Sequence, residues 1–152
     1  YTKVLALEKQ NEQLKRLVDM LAGNPNSIQY KLYQKEWSWY GTVAFKADRG
    51  KKFCYHQMSQ LFDHLINQCG NIGLRIFFTI EPFTLRDGAH VHFILEVRNK
   101  SKQAEVMAEL TNYFTGNRLD LVPYDKYQAG IHYISKLGLQ NEDWDILGDY
   151  SK

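Results

Sequence analysis

The sequence predicts an α+β domain: one antiparallel sheet with its helices on one face, preceded by a separate helical segment. Three observations carry this. From residue 37 onward, strand-like alternation and helix-like three/four spacing of apolar residues succeed one another. Two consecutive strand-like runs are joined by a turn signal, Arg86-Asp87-Gly88. The first 22 residues carry a heptad pattern instead of either period.

The opening segment places Val4, Leu7, Asn11, Leu14, Val18 and Leu21 at alternating spacings of three and four. Val, Asn and Val at a, with Leu at every d, favour a parallel dimer, and the buried Asn sets register. Lys3 at g and Glu8 at the following e can pair across two chains. Leu5, Leu17 and Met20 lie off the seam and fit an amphipathic helix docked on its own domain equally well. Residues 1–22 are therefore a helical, coiled-coil-like segment, with a homodimer through residues 3–22 as the expected partner. Residues 23–36, beginning Gly23-Asn24-Pro25-Asn26-Ser27, are the linker, and 37–152 the domain.

Within the domain the first strand spans Trp39 to Lys46 and ends before the turn Asp48-Arg49-Gly50. The first helix covers about Lys52 to Gln68. Its apolar positions Met58, Leu61, Phe62, Leu65, Ile66 and Cys69 follow helical spacing, and Gly70 and Gly73 bracket its end. Two strands follow, ending at Glu81 and Val97. Ser101 is the expected cap of a second helix, Lys102 to Phe114, with Val106, Leu110, Tyr113 and Phe114 inward and Gly116 as its stop. A short strand, Leu119 to Val122, closes at Pro123. A last helix over about 127–137 carries Tyr127, Ile131, Ile134 and Leu137 on one stripe and stops at Gly138. The order β-α-β-β-α-β is the split βαβ, ferredoxin-like arrangement. Helices on one face leave the other face of such a sheet free for a site.

The chemistry concentrates in Ala89-His90-Val91-His92-Phe93-Ile94-Leu95-Glu96-Val97. Strand alternation turns His90, His92, Ile94 and Glu96 one way and Val91, Phe93, Leu95 and Val97 the other. Two imidazoles two residues apart on a rigid strand can grip one divalent ion. If the hairpin places Glu81 opposite His90, a carboxylate joins them; a one-residue slip would turn it away. Downstream, Tyr133 lies off the apolar stripe and three residues before Lys136, hence beside it on a helix.

These two motifs, in this order, resemble the HUH endonucleases, and more closely the replication-initiator (Rep) branch that starts rolling-circle replication of small viruses and plasmids. The resemblance covers about residues 37 to 138. Its weakest part is the opening strand, Trp37-Ser38-Trp39-Tyr40-Gly41-Thr42-Val43-Ala44-Phe45-Lys46. It implies a ferredoxin-like sheet, with His90 and His92 as the histidine pair and Glu81 as the acidic third ligand. It also implies Tyr133 as a single nucleophile, with Lys136 as the motif lysine; Tyr127, a possible second tyrosine, lies on the apolar stripe and reads as core. A divalent cofactor, Mn²⁺ or Mg²⁺, follows, and imidazole ligands favour Mn²⁺. The partner implied is single-stranded DNA at an origin or hairpin-loop site, nicked and rejoined through a 5′-phosphotyrosine. An HUH transposase or relaxase is the neighbouring alternative. From another class, the chain reads as a non-catalytic ferredoxin-like nucleic-acid-binding module dimerised by its N-terminal helix.

Charge adds little. The formal net charge is only +2. Lys46, Arg49, Lys51 and Lys52 cluster after the first strand, and Arg86 lies in the hairpin turn; with His132 these are the DNA-contacting expectations. Glu142, Asp143, Asp145 and Asp149 make the tail acidic. No apolar run is long enough to cross a membrane, and no signal peptide is visible. Cys54 and Cys69 share one helix about 22 Å apart, so they cannot bond to each other. Unpaired cysteines point to an intracellular setting: the cytoplasm of a bacterial or archaeal host, or the nucleus for a eukaryotic virus. The start at Tyr1 suggests a piece of a longer protein, which in Reps often continues into a helicase domain. This stretch has no Walker A pattern.

Overall fold

The computed structural model describes residues 2–11, 32, 35–45, 50–83, 88–125 and 144–148. The chain divides into two compact units, one of residues 1–36 with 124–140, the other of 37–123 with 141–152. In the first unit, residues 2–11 form a helix, α1, on which Val4 and Leu7 are 54% and 59% exposed. The remainder of the heptad seam, from Leu14 on, lies outside the described residues.

The second unit is a five-stranded antiparallel sheet in the order Arg118–Pro123, Trp39–Ala44, Ala89–Val97, Leu74–Pro82, Trp144–Gly148. Its elements are β1 (Trp39–Ala44), α2 (Lys51–Cys69), β2 (Leu74–Pro82), β3 (Ala89–Val97), α3 (Gln103–Tyr113), β4 (Arg118–Pro123) and β5 (Trp144–Gly148). The first four strands and two helices realise the expected split βαβ order, and the fold is α+β of the ferredoxin-like type.

One sheet face packs on the helices. Val43, Phe45, Val91, Phe93, Leu95 and Val97 join Leu74, Ile76, Phe78 and Ile80 against Cys54, Met58, Leu61, Leu65 and Cys69 of α2. Val106 and Leu110 of α3, and Phe114 just beyond it, complete the core. Ile66, expected inward, is exposed; it lies one residue off the buried stripe, roughly 100° round the helix from Leu65. Gly70 ends α2 with φ +79°, its N–H donating to the Ile66 carbonyl at 2.9 Å. Gly41 faces Phe93 across β1–β3, and the Phe93 ring occupies the space a Cβ would need.

Three expectations are corrected. Asn99, not Ser101, caps the start of the second helical segment. Its Oδ1 accepts from the Ser101 N–H at 3.2 Å and the Ser101 hydroxyl at 2.6 Å, and a 3₁₀ turn (Lys100–Lys102) precedes α3. Second, part of the acidic tail is a strand: Trp144–Gly148 pairs along β2 from Thr79 to Arg75. Trp144 packs its ring on Phe77, and the Tyr55 hydroxyl donates to the Asp145 carboxylate, tying β5 to the sheet and to α2. Third, the face away from the helices is not open along its length. Arg75, Phe77, Ile94 and Glu96 are buried there. Arg75 donates to Glu96 at 2.7 Å, so two charges that alternation would send to water neutralise each other inside.

Cys54 and Cys69 are both free and buried. Among the described residues no helix is long and apolar enough to cross a membrane.

Candidate metal centre

The face opposite the helices is a lattice of cross-strand rows. Arg118, Ala44, His90 and Glu81 form one row across β4, β1, β3 and β2. Asp120, Thr42, His92, Thr79 and Trp144 form the next. Val122, Tyr40, Ile94, Phe77 and Ile146 form the third.

Glu81 lies directly opposite His90, the register that puts the carboxylate on the histidine face. That register is held by the ladder and by the turn, where the Phe83 N–H donates to the Gly88 carbonyl at 3.1 Å and Gly88 takes φ +96°. The three side chains converge. His90 Nε2 and His92 Nε2 are 3.0 Å apart, and the Glu81 Oε2 lies 3.7 Å from the first and 3.5 Å from the second. One ligand atom from each lies within 4.8 Å of the others.

The donor set fits a divalent ion. Ligands about 2.1 Å from a shared ion sit roughly 3.0 Å apart at right angles and roughly 3.4 Å at the tetrahedral angle. The nitrogen pair meets this spacing, and the carboxylate reaches it by a small side-chain rotation. Three protein donors leave positions for water or a substrate oxygen. Access is from the hairpin end: Glu81 and His90 side chains are 20% and 18% exposed, His92 only 8%.

Each imidazole is held from behind. Thr42 Oγ1 lies 3.1 Å from His92 Nδ1, and the Tyr40 hydroxyl 3.4 Å from the same nitrogen. His90 stacks on Phe83 with ring centroids 4.8 Å apart at 31°. Sequence reasoning did not single out Thr42 or Phe83. The β1 alternation Tyr40, Thr42, Ala44 was the available signal, since it places Thr42 on the site face.

Lys51 and Lys52 are exposed in the first turn of α2. Tyr133, Lys136, His132, Lys46, Arg49 and Arg86 lie outside the described residues, as does Tyr127. Arg118, which shares the His90 row and is exposed, was missed; it pairs with Asp120 at 3.5 Å.

Comparison with known proteins returns no matching family model, no matching curated protein and no matching solved structure.

Proposed function

We propose that the chain is a metal-dependent, site-specific single-stranded DNA endonuclease and strand transferase of the HUH type. Its role would be to nick and rejoin DNA in rolling-circle replication. The observation that carries this is the convergence of Glu81, His90 and His92 from one hairpin of a ferredoxin-like sheet. The downstream Tyr133-Ile134-Ser135-Lys136 adds the covalent chemistry in the order the resemblance expects.

Glu81, His90 and His92 would hold Mn²⁺ or Mg²⁺. Bound there, such an ion would polarise a scissile phosphate and offset charge building on its oxygens. The Tyr133 oxygen attacks phosphorus in line. A phosphorus–oxygen bond to tyrosine forms, the bond to the 3′ oxygen breaks, and a 3′-hydroxyl is released with the proton it takes up. The same steps reversed rejoin the strand. Lys136, three residues after Tyr133 in the sequence, stabilises the phenolate or a phosphate oxygen. DNA approaches from the hairpin end, where Glu81 and His90 are accessible. Arg118 and the Lys51–Lys52 pair offer the backbone positive charge. An intracellular setting and self-association through residues 3–22 belong to the same proposal, the latter supported by the exposed Val4 and Leu7 of α1.

The test is incubation of the protein with single-stranded origin-like DNA and Mn²⁺, followed by a denaturing gel. A covalent protein–DNA band that disappears with chelator is expected. Cleavage that persists in chelator, or no adduct with any DNA offered, sinks the proposal.

A further inference from the structure

We propose that Thr42 is a positioning residue for the metal centre: its hydroxyl holds the Nδ1 edge of His92 and so presents Nε2 to the ion. This rests on reading Glu81, His90 and His92 as a metal centre, and adds to it a residue that touches no ion.

Thr42 is the β1 partner of His92 in the ladder, so the two side chains rise side by side on one face. Oγ1 lies 3.1 Å from Nδ1, while Nε2 points to His90 and Glu81. A neutral imidazole carries one N–H. With Nε2 giving its lone pair to an ion, the hydrogen resides on Nδ1 and is donated to the Thr42 oxygen. Removing that oxygen takes away the shorter of the two hydroxyl contacts to Nδ1, and the Tyr40 approach at 3.4 Å is the longer one. The tautomer with hydrogen on Nε2 then competes, and that tautomer has no lone pair to offer the ion.

The row contains its own control. Thr79 flanks His92 on the other side, from β2, and is buried. Among the described residues its hydroxyl has no hydrogen-bond partner. The same residue type thus sits on both sides of one histidine, and only one of the two hydroxyls holds the ring.

The experiment is titration of the full chain with Mn²⁺ by calorimetry, with thermal unfolding measured without metal. The wild type, Thr42→Val, Thr42→Ser and Thr79→Val are compared, and Thr42→Ala supplies a second removal of the hydroxyl should valine fail to fold. Loss of the Thr42 hydroxyl is expected to weaken Mn²⁺ binding by about 10- to 100-fold, the range for partners that orient a metal ligand. Thr42→Ser restores affinity, and Thr79→Val keeps it. Wild-type affinity without the Thr42 hydroxyl overturns the inference, as does an equal loss in Thr79→Val, which would mean general loosening of the row. A wild-type chain that binds no Mn²⁺ overturns the metal-centre reading and this inference together.

Discussion

Arg75 and Glu96 face each other across the β2–β3 ladder as a buried ion pair, 2.7 Å apart. They lie on the same sheet face as the Glu81, His90 and His92 side chains, at the far end of the same two strands. Arg98 adds a longer contact to the same carboxylate oxygen, 3.4 Å, from its exposed position. Removing one member of such a pair leaves the other in a low-dielectric interior without its 2.7 Å partner. Arg75→Ala or Glu96→Ala is expected to cost about 3–5 kcal/mol in denaturant unfolding. The double replacement Arg75→Met with Glu96→Leu recovers most of that. Single variants as stable as wild type would mean the pair is solvated.

Gly41→Ala tests the close approach under the site. Its Cβ would fall 2.3 Å from the Phe93 ring, which is fully buried in the core. Overpacking of this kind costs about 1–3 kcal/mol. Thermal unfolding should show the loss, and the companion change Phe93→Leu should relieve part of it. Undiminished stability of Gly41→Ala alone would show that the ring has room to move.

Burial pushes the Cys54 thiol up from its ordinary 9.0 to about 11, with the backbone hydrogen bond at Cys54 pulling the other way. At pH 8 the native thiol then holds about a hundredfold less thiolate than the unfolded chain. Iodoacetamide should label Cys54 slowly in native protein and rapidly in denaturant. The linkage has a definite sign: the folded chain holds this proton more tightly. Its contribution is intact below pH 9 and is lost as pH rises toward 11. Cys69 and Tyr113, raised by burial, and Tyr55, raised by its hydrogen bond to Asp145, act in the same direction. Unfolding midpoints that do not fall between pH 8 and 11 would contradict this.

Tyr133→Phe removes one oxygen and is expected to abolish both cleavage and the covalent adduct while Mn²⁺ and DNA binding persist. Tyr127→Phe should keep substantial activity, and Lys136→Ala should slow cleavage without ending it. Mass spectrometry of the trapped adduct identifies the tyrosine. An adduct on Tyr127 would reverse the assignment.

The heptad makes a separate claim. Deleting residues 3–22 should convert a dimer to a monomer in sedimentation, and Asn11→Val should tighten association while loosening the choice of oligomer state. A full-length chain that stays monomeric at high concentration would exclude the zipper.

The sheet and its helices were legible because period is a local signal. Alternation in β2 and β3, the three/four stripe of α2 and the Gly88 turn each declare themselves within a dozen residues. The Glu81–His90 pairing was open in the sequence: the turn signal Arg86-Asp87-Gly88 leaves few registers, but a one-residue slip would turn Glu81 away, and the ladder decides between them. What escaped is non-local. Glu96 reads as solvent-facing until Arg75 is placed opposite it. Trp144–Gly148 is five residues with an aspartate in it, too short to show a period, and becomes a strand only because the β2 edge is there to pair with. Thr42 carries no chemical signature; its meaning comes from the histidine beside it. The Ser101 expectation failed by two residues, because serine and asparagine are both good caps and only geometry chooses between them.

All three donor side chains lie between positions 81 and 92, on the two arms of one hairpin. Their relative placement is therefore decided by a single short-range ladder, not by the assembly of distant segments. Closing a loop this small costs little chain entropy, so the ligand cage can form as soon as the hairpin does. It also means the stretch between Phe83 and Gly88 can change in composition without disturbing the trio, provided the ladder, the Phe83 N–H bond to Gly88 and the Phe83 ring on His90 are kept. Variation among descendants of this chain should accumulate between those two residues, where side chains can be exchanged at little cost to the trio beneath.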